Sequence, residues 1–121
     1  ESVYIQLIRD ADDYPEFLLA ENGMPVSRQE VPGGVILINS AMNEDGEIFV
    51  VWEDHRRGQP YAIYAQKISY DGEPMWESGV RCAEFEYDQN APKVVSDGQG
   101  GAIIAWRAPT DDDWYDIYMQ R

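Results

Sequence analysis

The chain carries one cysteine, Cys82, and one histidine, His55, in 121 residues. A single cysteine excludes an intramolecular disulfide. A single histidine excludes His-rich zinc sites and the H-E-x-x-H arrangement of zinc proteases. No G-x-S-x-G or Cys-His arrangement for nucleophilic catalysis is visible either. Cationic side chains are few: nine Lys and Arg stand against 23 Asp and Glu, a formal net charge of −14. So acidic a surface repels phosphate backbones and anionic lipid heads, which argues against nucleic acid and membrane surfaces as partners. No apolar run approaches the roughly 18 residues of a membrane span, so no membrane insertion is expected. No signal peptide opens the chain, which leaves a cytosolic protein or one whose leader has been removed. What the chain does have is 44 % hydrophobic residues rich in Tyr, Trp, Val and Ile, punctuated by ten glycines and seven prolines. That mixture favours strands and turns, with enough length for one domain core. Cys82, in an apolar-alternating stretch, reads as a small buried hydrophobe rather than a reactive thiol.

Three nearly identical tetrads mark the chain: VYIQ at 3–6, IYAQ at 63–66 and IYMQ at 117–120. GEIFVVWE at 46–53 lies over GGAIIAWR at 100–107 with an offset of 54, and IYAQK at 63–67 lies over IYMQR at 117–121 with the same offset. Two blocks sharing one offset establish a repeat. The first copy is looser, since VYIQ precedes IYAQ by 60 residues. AENGMPV at 20–26 answers WESGVRC at 76–82, and RQEVP at 28–32 answers DQNAP at 88–92. This alignment puts the extra length mainly between Pro32 and Gly46. Two periods result, 1–60 and 61–121, each starting and stopping at the same phase.

IFVVW (48–52) and AIIAW (102–106) are apolar on both faces and belong inside, between sheets. YAIYAQKIS (61–69) follows as a second strand, then the Asp71-Gly72 hairpin turn. PMW (74–76) and VRCA (80–83) read as a short outer strand, and KVV (93–95) as another strand ended by Asp97-Gly98. About four short antiparallel strands per period of near 50 residues is the pattern of a β-propeller blade. The expected fold is therefore all-β, with four-stranded antiparallel blades, about two blades of a propeller or an open blade array. DDYPEFLLAENG (12–23) also carries helix signals, an Asp cap, an early Pro and a Gly stop. The repeat instead places a turn and an outer strand there, with room for one helical turn.

Asp45-Gly46 through Trp52, Asp54 and Arg56, followed by I-Y-A-Q-K, a D-G turn and a Trp, resembles a known repeat. It is similar to the propeller-like repeats of large secreted and surface proteins of bacteria, many exported by the type IX route. Residues 45–98 match best. The last unit lacks the W-x-D-x-R element, reading Trp106-Arg107-Ala108-Pro109-Thr110. The resemblance implies an extracellular or cell-surface location and blades as neighbours. Ser69, Asp71 and Trp76 also resemble the Asp-box of sialidase-type propellers, with Gly72 one position early. Such boxes mark hairpins away from catalytic centres.

Trp52, Trp76 and Trp106 recur in phase and read as packing residues, as do Tyr4, Tyr64 and Tyr118 with Gln6, Gln66 and Gln120 in the tetrads. Trp114-Tyr115 has no twin of its Trp in the other units and stands beside Asp111, Asp112 and Asp113. Packing at a strand edge is the ordinary role of such a pair; an exposed aromatic beside carboxylates also suits stacking on a sugar ring. Asp111, Asp112 and Asp113, and likewise Asp10, Asp12 and Asp13, read by default as solvated loop charge with no cofactor; calcium is the alternative their oxygen-rich clusters offer. Neither cluster matches an EF-hand or the calcium nonapeptide. Asp54 with Arg56 or Arg57 reads as a loop-bracing ion pair, worth little if exposed. No catalytic residues stand out. The expected role is a non-catalytic extracellular repeat module, structural or binding protein or glycan, with other blades or subunits as partners. The alternative is a fragment of a secreted propeller glycoside hydrolase whose catalytic residues lie elsewhere.

Overall fold

The computed structural model describes residues 4–6, 8–11, 14–17, 23–26, 34–112 and 114–121, with the backbone alone for 8–11, 14–17 and Leu37. Among these residues the structure is all-β. The strands are β1 (Tyr4–Ile5), β2 (Ile8–Ala11), β3 (Tyr14–Phe17), β4 (Met24–Pro25), β5 (Val35–Met42) and β6 (Ile48–Asp54). They continue with β7 (Ala62–Ile68), β8 (Val80–Arg81), β9 (Asn90–Ser96), β10 (Ala102–Pro109) and β11 (Tyr115–Gln120). All pairings are antiparallel. The central sheet runs β5-β6-β7-β8 and the C-terminal sheet β9-β10-β11, while β1 pairs β4 and β2 pairs β3.

The 54-residue offset survives at the level of individual backbone partners. Trp52 faces Tyr64 and Val50 faces Gln66 in the central sheet; Trp106 faces Tyr118 and Ile104 faces Gln120 in the C-terminal sheet. The first pair of strands repeats too, Ser40 opposite Val50 and Val94 opposite Ile104, and both ladders shift register at the same point. Even the turns agree. Asn43 Oδ1 accepts from the N–H of Asp45 (3.0 Å) and Glu47 (2.9 Å), and Asp97 Oδ1 from Gln99 (2.8 Å) and Gly101 (2.9 Å). An oxygen that satisfies two backbone donors fixes such a turn whether it belongs to Asn or Asp. At the N-terminus, Tyr4 opposite Pro25 and Ile5 opposite Met24 reproduce Tyr64 opposite Arg81 and Ala65 opposite Val80.

Three expectations are corrected. Asn90 occupies the ladder position of Ile36, so RQEVP at 28–32 is not the counterpart of DQNAP at 88–92. The extra length of the first period lies before Gly34, in the β2–β3 region and after Val26, because β5 to β7 match β9 to β11 without insertion. The outer strand is shorter than the run 74–76 suggests: Pro74 makes one bridge to Ile68, and only Val80 and Arg81 form a ladder. In the stretch 12–23, Tyr14–Phe17 form a strand against β2, and residues 12, 13 and 18–22, where the sequence leaves room for a helical turn, lie outside the described residues.

The sheets stack face to face, which explains the doubly apolar strands. One face of the central sheet carries Val50, Trp52, Tyr64 and Ile68 and packs under Ile5 and Val26. Its other face carries Phe49, Val51, Ile63 and Ala65 and packs on Val94, Ile104, Trp106 and Ala108 of the C-terminal sheet. Alternating side chains of β6 thus enter two different cores, so a polar residue at either position would be buried.

Candidate functional site

Trp52 is fully buried and donates its indole N–H to Asp54 Oδ2 at 2.7 Å. Asp54 also takes the backbone N–H of Arg56 (2.9 Å) and three guanidinium contacts, Nε to Oδ1 at 2.9 Å and to Oδ2 at 3.0 Å, and Nη2 to Oδ2 at 2.8 Å. Arg56 then reaches Ser78 O at 3.2 Å and lies 4.2 Å over the Tyr64 ring. The W-x-D-x-R element is therefore a closed clasp. The Asp54 carboxylate is 0 % exposed, so the pair is not the weak surface bridge its loop position suggested. Removing either partner would leave a buried charge uncompensated. His55 stacks on Tyr61 at 3.6 Å and contacts Glu53 Oε1 at 3.1 Å.

Gln66, also fully buried, fastens the outer turn. Its Oε1 accepts the N–H of Trp76 (2.9 Å) and of Lys67 (3.0 Å). Its Nε2 donates to Trp76 O and to Val26 O (3.1 Å) in the preceding unit. A side chain thus does for residue 76 what a ladder would otherwise do. Trp76 packs against Phe49 at 6.4 Å. Gly79, at φ +85°, lets the chain pass Trp52: a Cβ there would sit 2.8 Å from Trp52 Cη2 and 3.0 Å from Ala65 O. Tyr64 stacks on Trp52, Tyr118 on Trp106. Gln6 is half-buried and Tyr4 is 61 % exposed.

The C-terminal sheet lacks these fastenings. Ala108 stands where Asp54 would be, and the buried Trp106 Nε1 finds no protein acceptor. No strand pairs the outer edge of β11 among the described residues. Gln120, the twin of Gln66, is exposed and among the described residues reaches only Arg121 O, at 3.5 Å. Beside it opens a cleft of about 510 Å³ between the two sheets, lined among others by Ala65, Trp76, Cys82, Ile104 and Gln120. Burial among these apolar groups pushes the Cys82 thiol up to about 12.

The aromatic pair Trp114 and Tyr115 is exposed, at 77 % and 59 %. Arg107 lies 5.3 Å over the Tyr115 ring, and Thr110 N–H donates to Trp114 O at 2.6 Å. Asp111 Oδ1 accepts the Tyr87 hydroxyl at 2.7 Å, so that carboxylate serves the loop. Asp112 is exposed; Asp113, Asp12 and Asp13 lie outside the described residues, as does the side chain of Asp10. Among the described residues no group of three or more His, Cys, Asp or Glu side chains is placed to hold a metal.

Sequence reasoning missed the apolar stripe that continues from Tyr115: Ile117 is 81 % exposed and Met119 70 %, with Val95 exposed on the same sheet. Their twins Ile63 and Ala65 are buried under the next sheet. The signal was positional, since no described sheet lies over this face. Comparison with protein-family models, curated proteins and solved structures returns no match.

Proposed function

We propose that the chain is a non-catalytic repeat module whose sheets stack as blades, about two of them, in a β-propeller or open-array manner. It works outside the cell or at its surface, as a scaffold that meets protein or glycan partners. One observation carries this reading. The residues that recur in phase, Trp52, Tyr64 and Gln66 above all, are engaged in holding strands and units together. A repeat whose shared chemistry is internal serves architecture, and its variable loops are left to meet partners. The likeness of residues 45–98 to repeats of large secreted bacterial proteins points the same way. Trp114 and Tyr115 are the residues to test first, because exposed aromatics stack on sugar rings and anchor protein interfaces.

The test is a glycan array and a chromogenic glycoside panel, each run on the chain and on Trp114→Ala/Tyr115→Ala. Binding that disappears in the double variant, without turnover in either protein, is the expected result. Glycoside turnover that persists through repurification would overturn the non-catalytic reading.

A further inference from the structure

We propose that the C-terminal sheet receives a second copy of this chain head to tail, with β11 of one copy pairing β4 of the next in place of that copy's own β1. The proposal rests on reading the sheets as successive units of one stack. Its test reads mass rather than ligand binding, so the two can fail separately.

Two observations carry it. First, the packing between sheets is directional and already built inside the molecule: the Ile63 face of one unit packs on the Trp106 face of the next. The C-terminal sheet leaves its own Ile63-type face open at Ile117 and Met119, 81 % and 70 % exposed. Second, β1 and β11 are the same strand of the repeat. Tyr4 and Ile5 hold β4 through two residue pairs, and Tyr118 and Met119 occupy the equivalent register on β11, whose outer edge is unpaired among the described residues. Exchanging them turns a three-stranded sheet into one with the strand order of the central sheet. It also lays Met119 where Ile5 now meets the Val26 and Trp52 core. Replacing β1 by β11 costs little, because the two-residue β4 pairing given up within one copy forms again between copies. The interface is heterologous, so it propagates or closes into a ring.

Sedimentation velocity and light scattering of the full chain, near 0.15 M salt where the Debye length is about 8 Å, should show concentration-dependent species above the 13.8 kDa chain mass. Ile117→Glu/Met119→Glu, at exposed positions, abolishes self-association. A Tyr4→Cys/Pro25→Cys lock in a Cys82→Ala background, once oxidised, fixes β1 on β4 and abolishes it too. Reduction of the same sample restores it. Mixing the two blocked proteins yields a one-to-one dimer, because each retains one working end. Removing residues 1–6 vacates the β4 edge and tightens association about tenfold, or about 1.4 kcal/mol. A monomer at every concentration overturns the proposal, as does a Glu variant that still associates. A locked protein that still self-associates overturns it as well, since that outcome means like faces pair. Weaker association after the truncation overturns the strand exchange.

Discussion

Replacing Gln66 by Ala should destabilise the chain far more than the same change at Gln120, although both residues close the same I-Y-x-Q tetrad. At residue 66 the truncation strips partners from Trp76 N–H, Trp76 O and Val26 O, and removes the acceptor of Lys67 N–H. An orphaned buried polar group costs about 1–3 kcal/mol. Trp76 is half-buried, so water recovers part of that loss, while the Val26 carbonyl belongs to a residue with no exposure. About 3–5 kcal/mol is therefore expected, a large share of the roughly 5–15 kcal/mol that holds a typical domain. Gln120 is exposed and among the described residues touches only Arg121 O, so its truncation should stay within about 0.5 kcal/mol. Both are measured by urea unfolding in the Ile117→Glu/Met119→Glu background, which keeps the open face monomeric, with indole fluorescence as the signal. The midpoint should move with an unchanged slope. A loss under about 1 kcal/mol for Gln66→Ala, or equal losses at the two positions, would refute the idea that this glutamine braces the outer turn.

Trp52→Phe should cost about 1–3 kcal/mol more than Trp106→Phe in the same unfolding assay. The first deprives buried Asp54 of a donor, while the second removes an indole N–H that has no acceptor. Gly79→Ala should cost about 2–4 kcal/mol and Gly58→Ala about 1 kcal/mol. Both have positive φ, but only at Gly79 does a Cβ strike Trp52; similar losses would show that φ alone matters. Cys82, with its thiol raised by burial, should resist Ellman's reagent at pH 8 in the folded chain and react on addition of urea; prompt native reaction would contradict the packing. The Asp97 carboxylate is held below its ordinary value by the Gln99 N–H first, then by Arg121 and the Gly101 N–H. A lowered folded pKa gives stability that is present at neutral pH and lost as pH falls below the ordinary value of about 3.9. Asp97→Asn keeps the turn acceptor, as Asn43 shows, but not the charge. It should melt below the parent at pH 7 and converge with it on acidification, and a gap unchanged at low pH would refute this.

The strand phase was legible because Trp52, Tyr64 and Gln66 have twins 54 residues on that face one another in the same ladder. The looser first copy was not legible. RQEVP and DQNAP look alike by composition, yet register is set by hydrogen bonds anchored at the Asn43 and Asp97 turns, which share one acceptor oxygen and little else. The run 74–76 reads as strand because its residues suit one, but a side chain, Gln66, takes the place of a ladder there. Trp114 stood out in the sequence because the other units carry no twin of it, but only the structure shows that it and Tyr115 are exposed.

Ile117 and Met119 show why the rest of the candidate site stayed hidden. Ile63 and Ile117 sit in the same tetrad and the same register, yet one is fully buried and the other 81 % exposed. Burial belongs to the neighbour, not to the letter, so a repeat read from one chain predicts a covered face at every unit, including the last. Among the described residues the same unit is the one without the Asp clasp, without the glutamine brace and without a fourth strand. What holds it is the Ile63, Trp106 and Ala108 core at its inner face. A sheet fastened from one side only, with an apolar opposite side, is stabilised by whatever covers that side. An edge of unpaired backbone groups selects a strand rather than a loose apolar ligand as the cover. That is the physical ground for seeking the partner among chains that carry this same repeat.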